Sequence, residues 1–85
     1  MISCSYVIST NHGLHAANAM SLSRAASDYQ CKITLESAKG VADCKNVLSL
    51  MSLGAKQGES LILTADGPDE KLAMGYLSGI LRTIL

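Results

Sequence analysis

The sequence predicts a two-layer α+β domain, a four-stranded sheet with one polar face and helices on the other. Three observations carry that reading. Residues 2–9 alternate with a period of two; two later stretches recur at spacings of three and four; and the elements run strand, helix, strand, strand, short helix, strand, helix. With 85 residues there is room for one domain, 1–85, and for no second core.

In the first strand Ile2, Cys4, Tyr6 and Ile8 fall on one face and Ser3, Ser5 and Ser9 on the other. Turn chemistry at Thr10-Asn11-His12-Gly13 ends it. A helix is predicted from Ala16 to Asp28, with Ala19, Leu22, Ala25 and Ala26 as its apolar stripe and Ser21, Ser23, Arg24 and Ser27 on its wetter side. Cys31, Ile33 and Leu35 then alternate with Lys32, Thr34 and Glu36, which predicts a second strand. Lys39-Gly40 reads as a hairpin turn into a short third strand, Val41 to Cys44.

Asn46 can cap a short helix carrying Val47, Leu48, Leu50, Met51 and Leu53, which ends near Gly54. Ser60 to Ala65 is an apolar fourth strand bounded by Gly58-Glu59 and Asp66-Gly67. Pro68 suits the first turn of a last helix, where its missing N–H costs nothing. Asp69 and Glu70 add negative charge there, where the helix dipole favours it. Leu72, Ala73, Tyr76, Leu77, Ile80, Leu81 and Ile84 recur at helical spacing. The hairpin is antiparallel by construction; periodicity does not fix the other pairings.

Apolar residues make up 48% of the chain, which is ample for a globular fold and argues against disorder. Phe and Trp are absent, so Leu, Ile, Val, Ala and Met must build the core. Seven basic and seven acidic residues balance, which removes the electrostatic case for a nucleic-acid partner. The longest apolar runs are far too short to span a bilayer, and no signal peptide is expected. Cys4, Cys31 and Cys44 form no Cys-x-x-Cys pair and are not spaced with the histidines as zinc ligands. They read as reduced thiols packed as small apolar residues in a cytoplasmic protein.

The chemically suggestive segment is His12-Gly13-Leu14-His15-Ala16, where a strand gives way to a helix. Free N–H groups at a helix start, together with the positive end of its dipole, form an anion site. Gly13 permits a tight turn before it. A neutral imidazole at that point can act as a nucleophile whose phosphorylated form is held by main-chain donors. By itself a histidine ahead of a helix is more often a surface or capping residue.

Three stretches together carry a more specific signal. Gly13-Leu14-His15-Ala16 resembles the active-site turn of the histidine-containing phosphocarrier protein (HPr) family. Lys45-Asn46-Val47-Leu48-Ser49-Leu50-Met51-Ser52-Leu53-Gly54 resembles that family's regulatory-serine segment and short helix. Gly58-Glu59 and Asp66-Gly67-Pro68-Asp69-Glu70 resemble the borders of its last strand. The resemblance spans essentially the whole chain without insertions. It implies an open-faced β-sandwich, a four-stranded antiparallel sheet covered on one face by three helices. It also implies a phosphoryl group received on His15 from phosphoenolpyruvate-protein phosphotransferase (Enzyme I) and passed to sugar-specific or regulatory acceptor proteins.

By the same resemblance, the helix start at Ala16, Ala17 and Asn18 would cradle the phosphoryl group. Met20, Arg24, Lys45, Val47, Leu48 and Met51 would meet partner proteins. Three positions depart from the family. Ala17 stands where the family has arginine, removing a charge-assisted donor to the phosphoryl oxygens. Asn18 replaces a proline that fixes the first turn. Asn46 stands where many members carry a phosphorylated serine, so that modification is excluded at this position. His12, three residues before His15, is a candidate donor to the phosphoryl group or orienter of His15; its plain alternative is a solvated turn residue.

Two functions follow. The first is a working phosphocarrier in the phosphotransferase system, a cytoplasmic monomer without metal or organic cofactor. The second is a docking module of the same fold that transfers phosphate weakly or not at all, a reading favoured by the three substitutions. Retention of His15 and Gly13 favours the first, because docking alone has no evident need for the histidine.

Overall fold

The computed structural model describes residues 1–11 and 13–85. Among them the chain forms β1 (Ile2–Val7), α1 (Ala16–Ala26), β2 (Lys32–Ser37), β3 (Gly40–Asp43), α2 (Val47–Ser52), β4 (Ser60–Asp66) and α3 (Glu70–Ile84). The strands make one antiparallel sheet in the order β1-β4-β2-β3. This is the architecture expected, with the pairings that periodicity left open now fixed. Alternation decides the faces. Cys4, Leu63 and Leu35 lie in one cross-strand row, and Ile2, Ala65 and Ile33 in the next.

Leu22, Leu50, Leu77 and Leu81 descend from the helices onto the inward rows and are fully buried. Each such leucine contributes roughly 1.5–3 kcal/mol by leaving water. The opposite face is wet. Ser3 and Thr64 share a hydroxyl hydrogen bond of 3.0 Å across β1 and β4. Lys32 stands opposite Asp66, and Val7, Val41 and Ile62 are the exposed apolar residues of the strands.

Several local expectations are corrected. β1 ends at Val7 rather than at residue 9, because Ser9 and Thr10 donate their N–H groups to the Leu85 carbonyl instead of to the sheet. α1 ends at Ala26, beyond which Asp28 and Tyr29 close narrower i→i+3 turns onto the Ala25 and Ala26 carbonyls. Ser23, assigned to the wet side, is buried; a side chain that small fits against the core. The β2–β3 turn is Ala38-Lys39, one residue earlier than predicted, and Gly40 begins β3 opposite Ser37. Cys44 lies just past β3.

Pro68 precedes α3 instead of entering its first turn. Asp69 sits at the α3 N-cap position without capping it. Its carboxylate accepts from the N–H groups of Gln30 (2.8 Å) and Cys31 (2.9 Å), tying the start of α3 to the approach to β2. Glu70 does lie in the first turn, where it accepts from Gly67 N–H at 3.1 Å.

Candidate phosphoryl-accepting site at the start of the first helix

The site is built on one turn and one helix end. Gly13 adopts φ +64°, a conformation that glycine takes at little cost. The next residue, Leu14, buries its side chain and donates its N–H to the Ala55 carbonyl at 2.9 Å. That bond fastens the turn to the segment between α2 and β4. His15 follows in extended conformation as the N-cap of α1, with its side chain exposed.

A reciprocal pair of bonds closes the cap. Nδ1 of His15 accepts from Ala17 N–H at 3.3 Å, and His15 N–H donates to Oδ1 of Asn18 at 2.7 Å. Nδ2 of Asn18 also donates to the Gly13 carbonyl at 2.9 Å. Because Nδ1 accepts, the neutral ring carries its proton on Nε2 and turns its lone pair toward the helix start. The positive end of the α1 dipole lies at that same place.

The residues expected from the sequence fall into three groups. His15, Ala16, Ala17 and Asn18 come together at the helix start, with Ala16 and Ala17 exposed and Asn18 buried. Met20 on α1 and Leu48 and Met51 on α2 are exposed on two helices that touch, with Val47 half-buried beside them. Arg24 and Lys45 are placed differently. Arg24 lines a groove of about 740 Å³ between α1 and α3, which includes no residue of the 13–18 turn. Lys45 is half-buried and donates from Nζ to the Tyr29 carbonyl at 2.6 Å.

Asn46 caps α2 as expected, accepting from Ser49 N–H at 3.2 Å. His12 lies outside the described residues. Sequence reasoning missed Ala55, whose carbonyl anchors the turn, and Lys39, whose ammonium donates to the neighbouring Gly54 carbonyl at 2.9 Å. Neither bears a local signal, since both contacts join distant parts of the chain. Among the described residues no cluster of His, Cys, Asp and Glu is arranged to hold a metal. No helix among them is long and apolar enough to cross a membrane.

The result is an open antiparallel sheet under helices, with an exposed imidazole at the start of the first of them. Comparison with known proteins gives its kind. The family described as the PTS HPr component phosphorylation site matches residues 2–83, and the chain belongs to this HPr family. The phosphocarrier protein HPr of Mycoplasma genitalium is 33% identical over 77 residues, covering 89% of this chain and 88% of the relative. That of Mycoplasma pneumoniae is 32% identical over 71 residues, covering 82% and 81%. The solved HPr of Thermoanaerobacter tengcongensis superposes with a TM-score of 0.90 at 30% identity, covering 98% of this chain and 93% of that one. A histidine-containing phosphocarrier protein, solved in connection with the divergence of Mycoplasma from Gram-positive bacteria, gives a TM-score of 0.93 at 26% identity, covering 96% and 93%.

Proposed function

We propose that this chain, acting as one cytoplasmic domain, is a phosphocarrier that accepts a phosphoryl group on Nδ1 of His15 from an Enzyme I-type phosphotransferase. It then passes the group to sugar-specific or regulatory acceptor proteins. The observation that carries the reading is the Nδ1 lone pair held at the N-terminus of α1 by Ala17 N–H. In the transfer Nδ1 lets go of Ala17 N–H and its freed lone pair forms a bond to phosphorus while the donor's bond to phosphorus breaks, the electron pair leaving with the donor. Once Nδ1 has become phosphorylated it no longer accepts from Ala17. That N–H then turns to a phosphoryl oxygen, where the helix dipole adds to its effect.

Onward transfer reverses these steps, with the acceptor's nucleophile taking the place of Nδ1. The exposed Met20, Leu48 and Met51 supply an adaptable apolar surface for docking. The test is the intact mass after incubation with phosphoenolpyruvate and the Enzyme I of the same organism, beside a His15→Ala control. One acid-labile phosphoryl adduct, absent from the control, is the expected result. No adduct on the folded protein, with Enzyme I active on another carrier, overturns it and leaves a docking module.

A further inference from the structure

We propose that Asn18 is the positioning residue of this site, its carboxamide setting the pose of His15 where the family's arginine at position 17 and proline at position 18 are missing. The inference rests on His15 being the phosphoryl acceptor. Asn18 is only 6% exposed, and both polar atoms of its side chain are used on the turn. Oδ1 takes the N–H of His15 at 2.7 Å, and Nδ2 gives to the carbonyl of Gly13 at 2.9 Å. The amide therefore spans the turn from one side of Leu14 to the other.

Magnitudes show why the ring depends on it. The bond from Ala17 N–H to Nδ1 is 3.3 Å, long for its type, so it is sensitive to how the backbone at His15 is held. The Leu14–Ala55 bond acts one residue earlier and leaves the orientation of His15 N–H open. The short bond to Oδ1 closes that freedom. No side chain of the same length other than asparagine offers both a donor and an acceptor at its tip. The change Asn18→Asp would set a second acceptor against the Gly13 carbonyl, and Asn18→Ala would remove donor and acceptor together. With no guanidinium at position 17 to adjust to the phosphoryl group, main-chain donors must already be in place when it arrives.

Asn18→Ala is compared with the parent protein and with Asp69→Ala, which loosens the remote start of α3 and serves as a control for destabilisation away from the site. Two readouts are taken: the rate of phosphoryl uptake from phosphoenolpyruvate through Enzyme I, and the tautomer of His15 from ring ¹⁵N shifts at alkaline pH, where imidazoles are neutral. Asn18→Ala is expected to slow uptake by about tenfold and to move the tautomer toward the free-imidazole mixture. Asp69→Ala is expected to change neither. Parent-like rate and tautomer in Asn18→Ala overturn the proposal, as does equal slowing in the control. If the parent protein takes up no phosphoryl group, the phosphocarrier reading fails, while the tautomer comparison still decides the role of Asn18.

Discussion

Gly13 and Ala55 meet so closely that a Cβ on Gly13 would stand 2.3 Å from the Ala55 carbonyl oxygen. The same oxygen accepts from Leu14 N–H at 2.9 Å, so it cannot withdraw without releasing the turn. Gly13→Ala meets this clash and an unfavourable φ of +64° together. The backbone strain alone costs about 1–3 kcal/mol. Urea unfolding is expected to show at least that loss, and phosphoryl uptake by His15 is expected to fall with it.

Ala17 is exposed in the first turn of α1, with room for a longer side chain. Ala17→Arg restores a charge-assisted donor beside His15. Phosphoryl uptake through Enzyme I is expected to rise, by up to about a hundredfold if the guanidinium reaches the oxygens that develop charge. A cation at a helix start costs about 0.3–1 kcal/mol, so the melting temperature is expected to drop slightly. An unchanged rate would show that main-chain donors already suffice.

Leu48 is 77% exposed at the second residue of α2 and supports no core contact. Leu48→Asp is expected to change stability by less than about 0.5 kcal/mol, since surface positions tolerate such changes and an acid suits a helix start. Affinity for Enzyme I, measured calorimetrically, is expected to fall at least about tenfold if α2 forms part of the docking surface. Met51→Ser probes the same surface from a less exposed position. Loss of binding together with stability there would mark Met51 as core.

The carboxyl of Asp69 is held below the usual carboxylate range, first by the N–H of Gln30 and further by its bonds to Cys31. A carboxylate whose folded value is lowered stabilises the fold fully above its unfolded value, near 4, and loses that contribution as pH falls through the folded value. Asp69→Ala is expected to melt lower at neutral pH. Its deficit against the parent protein is expected to shrink as the medium is acidified below about pH 4. Thermal melts at several pH values check this, and a deficit that does not change with pH would show that ionisation of Asp69 is not involved.

Burial pushes the Cys44 thiol up to about 12 and also raises that of Cys31. Cys4 is half-buried at the edge of the core. Iodoacetamide at mildly alkaline pH is expected to modify Cys4 first and to reach Cys31 and Cys44 only when the chain opens, because thiolate and access are both needed. Peptide mapping of the alkylated protein identifies the order.

Periodicity revealed the strand faces and the α3 stripe because each element buries one side, and Asn46 announced the start of α2 by its chemistry. Sequence order alone did not reveal that β4 lies between β1 and β2, since pairing is a tertiary event. At the site, His15 and Gly13 were legible from local motif, and Asn18 was legible as a helix-start residue. Its burial was not, because polar side chains enter the interior only when distant or turn-forming partners satisfy them, as Gly13 and His15 do here. Asp69 was misjudged for a related reason. Its partners, Gln30 and Cys31, lie on another part of the chain, and a local dipole argument does not see them.

The strand order also bears on how the chain is made. Synthesis runs from β1 onward, yet both neighbours of β4 are present long before β4 itself. Until residues 60–66 appear, β1 has no strand to join, and the nascent chain can complete only the β2–β3 hairpin. The sheet therefore closes late, in a step that draws together segments far apart in sequence, which slows folding relative to a helical bundle of this size. A premature stop anywhere before β4 leaves apolar strand edges unpaired, a species for chaperones and proteases rather than a partly working carrier.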